Sequence, residues 1–154
     1  MDEIWTLHGP LTGVINNAAA NFIAPTESLS PRAFEAVTST VMNGSFNTTH
    51  AAGRRWIEGG TRGVVLSTLT TWVWSGSAFV VPSAMAKAAV HSMTMSLAVE
   101  WARYGIRLNA LAPGPIPTDY AGRCSIPPTR ARSAPPRPTR SRWDGWAPSK
   151  SSPT

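Results

Sequence analysis

The sequence predicts an α/β fold, a parallel sheet with helices flanking it. Three observations carry that prediction. Short apolar runs recur at 11–17, 63–68 and 106–114, stretches of helical period separate them, and the connections are short. The first run, "LTGVINN", is closed by two asparagines, which suits a buried parallel strand ending in a loop. Ser30 before Pro31 marks a helix start, with serine as N-cap and proline in the first helical position. Phe34, Val37 and Val41 continue at helical spacing, and the pattern runs to Trp56 before "EGG" stops it. "GVVLST", 63–68, is the second strand, and a loop containing Gly and Ser leads from it to Pro82.

The next helix is expected to open near Ser83 and to end before Gly105, a residue type favoured just past a helix. Val90, Met93, Leu97 and Trp101 form its buried stripe. "IRLNALAPG", 106–114, follows as a third strand that breaks at Pro113. Strand, helix, strand, helix, strand with short connections implies parallel pairing through right-handed crossovers. Ligands bind such sheets at the carboxyl ends of the strands, so the loops 17–25, 68–82 and 113–120 are expected to share one edge.

Charge is segregated along the chain. Residues 1–121 carry seven Lys/Arg and seven Asp/Glu, so the formal net charge of +6 belongs entirely to residues 122–154. That tail holds seven of the fourteen prolines, has no apolar periodicity, and has the Pro/Arg/Ser bias of a disordered segment. Non-specific binding of nucleic-acid phosphate is the weakest of the readings its basic charge allows, because no fold or aromatic platform supports it. Cys124 is the sole cysteine, so no intramolecular disulfide forms, and His8, His50 and His91 lack metal-ligand spacing. With no basic leader before an apolar run and no stretch long enough to span a membrane, a cytoplasmic protein is expected.

Lys87 is the one ammonium on an alanine-rich helix otherwise almost free of charge, and it lies one turn after Ser83 on the same face. Taken singly, each notable residue has a plain reading. Ser83 after Pro82 serves as an N-cap, Lys87 as a solvated helix lysine, and Asn43 beside a glycine as a local kink. Asn16 and Asn17 tie a strand end to its neighbours, and Trp72 with Trp74 forms a loop-packing pair. Their joint spacing is what points to a site.

In order and spacing, "VINNAAANF", the Asn43 of "VMNGSF", "VVLSTLT", "SAMAKAAV" and "IRLNALAPGPIPTD" resemble a short-chain dehydrogenase/reductase. "NFIAPTESLSPRAFE" and "SGSAFVVPSAMAKAAV" look most like the 2,4-dienoyl-CoA reductase group. The resemblance covers residues 11–121 and implies a Rossmann-like fold with hydride transfer involving NADP(H) or NAD(H).

It further implies that Lys87 binds the cofactor's ribose hydroxyls and that Ser83 stands where the wider family has a tyrosine. In the dienoyl-CoA reductases a tyrosine further upstream serves the chemistry, and that position here is Trp72. An indole N–H donates a hydrogen bond but is no general acid near neutral pH, so protonation calls for a water relay held by Asn43, Ser83 and Lys87. Thr70, thirteen residues before Ser83, falls where the family often binds a substrate carbonyl. Asn17, Ala18 and Ala19 match the turn after the family's fourth strand, with alanine in place of glycine at position 19. Pro113, Gly114, Pro115 and Ile116 match the loop along the nicotinamide, and Thr118 is placed to bond its amide or the phosphates.

By the same resemblance, the first three strands and the Gly-rich phosphate turn have no counterpart in the chain. The strand at 11–17 would then expose an apolar edge. After "PGPIPTDYA" the text turns abruptly to Arg, Pro and Ser, as a GC-rich gene does when read out of frame, so a fragment of a longer enzyme is expected. The expected substrate is a small molecule, an unsaturated acyl-CoA in the dienoyl-CoA reading. The helices 31–56 and 83–104 would pair with their counterparts in a second subunit, and an inactive dimerisation module is the alternative function.

Overall fold

The computed structural model describes residues 2–114. The expected cofactor-loop residues Pro115, Ile116 and Thr118 and the tail 122–154 lie outside the described residues. The elements in chain order are α1 (Asp2–His8), β1 (Gly13–Asn16), α2 (Pro31–Thr38), α3 (Gly44–Glu58), β2 (Gly63–Thr68), α4 (Trp72–Ser75), α5 (Val81–Glu100) and β3 (Ile106–Leu111). Short 3-10 turns occupy Thr26–Ser28 and Ala102–Tyr104. The three strands form one parallel sheet in the order β1-β2-β3, with Asn16 beside Ser67 and Thr68 beside Leu111. The expected parallel α/β architecture is therefore present.

Strand alternation sorts the residues between the two faces. In β2, Val65 and Ser67 are buried, and in β3 Ile106 and Leu108 are buried while Arg107 and Asn109 are exposed. The buried positions form two clusters. Ala52 and Trp56 of α3 pack with Val65, Trp101, Ile106 and Leu108. Val37, Val41, Leu69, Ala86 and Val90 make the second cluster, just beyond the carboxyl end of β2. β1 lies at the edge of the sheet, and its Ile15 is 69% exposed.

Several boundaries differ from the sequence reading, each for a local reason. The expected helix 31–56 starts as predicted, with the Ser30 hydroxyl accepting the Ala33 N–H at 3.2 Å and Pro31 in the first position. It is then broken by a π-helical turn at Ser39–Asn43 and ends at Glu58, followed by Gly59 and by Gly60 in the left-handed region. Around that turn the hydroxyls of Thr38, Thr40 and Ser45 donate to the carbonyls of Phe34, Ala36 and Val41. Such back-bonding competes with the regular ladder and bends helices, and a π turn absorbs the misfit. The kink expected at Asn43 is thus a π turn that ends there.

α5 begins at Val81, not at Ser83. Val80 is its flanking residue, Pro82 sits in the first turn where a missing N–H costs nothing, and Ser83 is inside the helix and makes no cap. The N-cap reading of Ser83 is corrected accordingly. The stripe Val90, Met93, Leu97 and Trp101 does turn inward, fully at Val90 and Trp101 and half-buried at the other two. Gly105 follows with φ +70°, as its place after the helix requires. β1 and β3 are shorter than their apolar runs; β3 stops at Leu111, two residues before Pro113. α1 and α4 had no periodic signal to announce them, being one to two turns long. Trp5 of α1 packs on the first core cluster with the Arg55 guanidinium 5.3 Å from its ring centroid.

Candidate functional site

The register aligns the carboxyl ends of all three strands, so the chain leaves β1, β2 and β3 along one edge. The Leu69 N–H donates to the Leu111 carbonyl at 2.7 Å, which extends that edge one step past the ladder. Facing inward at the end of β1, Asn16 donates through Nδ2 to Thr49 Oγ1 at 2.8 Å and to Ser67 Oγ at 3.3 Å. All three residues are buried, so this polar triad fixes β1, α3 and β2 relative to one another.

Lys87 is the centre of the site. Burial of Ala86 and Val90 seats this face of α5 against the second core cluster, which draws Lys87 in with it. Lys87 as a residue is only 6% exposed, and its ammonium donates to the Thr68 carbonyl at 2.5 Å, at the end of β2. Desolvation lowers its pKa from the ordinary lysine value. An ammonium has three N–H donors, and this bond uses one. Ser83, 8% exposed, lies one turn earlier on the same face. The solvated-lysine reading fails because the second core cluster takes the whole face inward.

The other candidates are distributed around this pair. Thr70 and Trp72 are half-buried just after β2, Trp72 opening the single turn of α4. Trp74 is 62% exposed and meets His91 of α5 edge-on at 5.4 Å, while among the described residues no ring contact joins Trp72 to Trp74. Asn43 is exposed and lines an apolar groove of about 300 Å³ with Met42, Phe46, Ala89, Val90 and Met93. Among the described residues no side-chain hydrogen bond joins Asn43, Thr70, Trp72 or Ser83 to Lys87. Asn17, Ala18 and Ala19 are exposed on the loop leaving β1, while Pro113 is half-buried and Gly114 exposed on the segment leaving β3.

Two features escaped the sequence reading. The Thr68 carbonyl that receives Lys87 is a backbone group and carries no residue-type signal. Asn21 has its Oδ1 atom buried with no hydrogen-bond partner among the described residues. The loop bearing it is tied across the edge by the Ala24 N–H, which donates to the Phe79 carbonyl at 3.0 Å. The "NF" pair following the alanines was the available signal. Spare donors on Lys87 at the end of β2 and a spare acceptor on Asn21 in the loop that follows β1 fit the hydroxyl- and amide-bearing half of a nicotinamide cofactor. Among the described residues no three His, Cys, Asp or Glu side chains gather to hold a metal ion.

Comparison with known proteins agrees with the fold. A family model described as short chain dehydrogenase matches residues 1–126. A Bacillus subtilis protein described as a probable 2,4-dienoyl-CoA reductase is 52% identical over 109 residues, which cover 70% of this chain and 43% of the relative. The crystal structure of a short chain dehydrogenase from Bacillus anthracis superposes with a TM-score of 0.73 at 46% identity, covering 75% of this chain and 48% of that one. A gluconate 5-dehydrogenase from Burkholderia cenocepacia, solved with NADP and tartrate, gives 0.72 at 31% identity, covering 76% and 46%. The chain thus spans less than half the length of these relatives.

Proposed function

Since the chain belongs to the short-chain dehydrogenase family, we propose that it is an oxidoreductase that uses NADP(H) or NAD(H) to reduce an unsaturated acyl-CoA of the 2,4-dienoyl type. The observation that carries this reading is Lys87, a buried ammonium fixed at the carboxyl end of β2 with donors to spare. A nicotinamide cofactor held there would supply the hydride for a conjugated carbon of the substrate.

The chain's own residues bind, orient and deliver a proton. Lys87 holds ribose hydroxyls with its free N–H groups, and Asn21 accepts a donor through Oδ1. Thr70 Oγ1 and Trp72 Nε1 donate toward the thioester carbonyl and steady the negative charge that builds there. Trp72 gives no proton, so the proton travels through Ser83 and water from Lys87, whose lowered pKa eases the transfer. Asn43, at the end of the π turn, orients water. The loop at Asn17, Ala18 and Ala19 and the segment from Pro113 onward line the cofactor.

Titration of the full chain with NADPH tests this. Quenching of tryptophan fluorescence is expected, with Trp72→Phe removing most of the response and Lys87→Met weakening it about tenfold, as loss of a charged hydrogen bond does. A chain whose fluorescence ignores both NADPH and NADH has no cofactor site, and the oxidoreductase reading fails. The second reading, a dimerisation module built on 31–56 and 83–104, is favoured by the apolar groove between Phe46 and Met93. It predicts association without any cofactor response.

A further inference from the structure

Phe79 is the sole non-glycine residue among those described with a positive φ, at 67°. A bulky side chain in that region costs about 1–3 kcal/mol. Its backbone has a clear task, since the Phe79 carbonyl accepts the Ala24 N–H and clamps the loop leaving β1 to the segment entering α5. A glycine would make the same bond without the steric cost. The backbone therefore does not account for a phenylalanine.

Packing does not account for it either. The side chain belongs to neither core cluster, stacks on no other ring among the described residues, and is 42% exposed. A strained, exposed aromatic side chain that serves neither the backbone nor the core acts on something outside the chain. Its place specifies what. Phe79 directly precedes Val80 at the head of α5, is four residues before Ser83, and is bonded to the loop that carries Asn21.

We infer that Phe79 is an apolar contact for the substrate's acyl chain beside the head of α5. The inference rests on the acyl-CoA reading above and deepens it.

Asparagine tolerates the left-handed region better than other non-glycine residues, so Phe79→Asn keeps the clamp and removes the ring. Calorimetric binding of decanoyl-CoA and of free CoA to the full chain, with melting temperatures, tests the inference. Phe79→Asn is expected to melt no lower than the parent, to bind free CoA as the parent does, and to lose about tenfold in decanoyl-CoA affinity. Phe79→Leu, which restores apolar bulk, should recover most of that loss. An undiminished decanoyl-CoA affinity in Phe79→Asn, or a melting temperature several degrees lower, overturns the role of Phe79 alone. A parent chain that binds decanoyl-CoA no better than free CoA overturns the acyl-CoA reading, and this inference with it.

Discussion

Lys87 pays for its position. Lys87 is 6% exposed as a residue, its ammonium gives up hydration on folding, and one bond to the Thr68 carbonyl restores only part of it. The folded-state pKa is lowered by that desolvation, so between it and the unfolded value of 10.5 the unfolded chain binds more protons. Stability contributed at this position therefore rises with pH across that window, and the penalty is fully present below it. The stability gained by Lys87→Met relative to the parent should shrink as pH climbs from neutral toward 10.5, read by urea unfolding at each pH. A difference that stays flat with pH would show that the ammonium is not desolvated. The lysine and its phase with Ser83 were legible as spacing. Its partner was not, because a carbonyl becomes an acceptor at that point only when β2 and α5 are packed together.

At the scale of the element, α3 and α5 carry the sheet on one face, and their approach depends on a missing side chain. A Cβ at Gly53 would run into the Cη2 and Cζ3 atoms of Trp101, so this glycine admits the indole that closes the first core cluster. Alanine favours helix by about 1 kcal/mol over glycine. Overpacking typically costs about 1–3 kcal/mol, and rigid ring atoms leave little room to yield. Gly53→Ala is expected to destabilise the chain by about 1–2 kcal/mol, measured by urea unfolding, despite its better helix propensity. An unchanged or higher midpoint would mean that Trp101 repacks freely. Sequence pattern located both helices, yet the π turn at Ser39–Asn43 and the start of α5 at Val81 were missed. Periodicity averages over a window, whereas a single turn is settled by which hydroxyls and carbonyls find partners.

Over the molecule as a whole, the described residues leave apolar surface on the helical side. Phe46 is 50% exposed and stacked on His50 at 5.5 Å, and Met95 and Val99 on α5 are 59% and 81% exposed. Of these, Phe46 lines the apolar groove beside Asn43, and exposed apolar surface of this kind marks an interaction site. In the proposed dimer the groove beside Asn43 receives side chains of a second copy, whose burial drives association. Phe46→Glu should convert dimer to monomer in sedimentation velocity by placing a charge in that contact. A parent chain that sediments as a monomer at all concentrations would remove the dimer proposal. No helix among the described residues is long and apolar enough to cross a membrane.

The order of the three strands and of the long helices between them, their parallel pairing and the edge where the loops gather were legible in the sequence alone. Hydrophobic period is local, and short connections leave few topologies open. The spacing of Ser83 and Lys87 followed from the same local geometry. Only the folded chain decided that Asn16 bonds Thr49 and Ser67 across 33 and 51 residues, that Asn21 ends with a buried oxygen unpartnered among the described residues, and that Phe79 adopts a strained backbone. Those outcomes depend on which groups burial deprives of water, and that is a property of distant segments meeting.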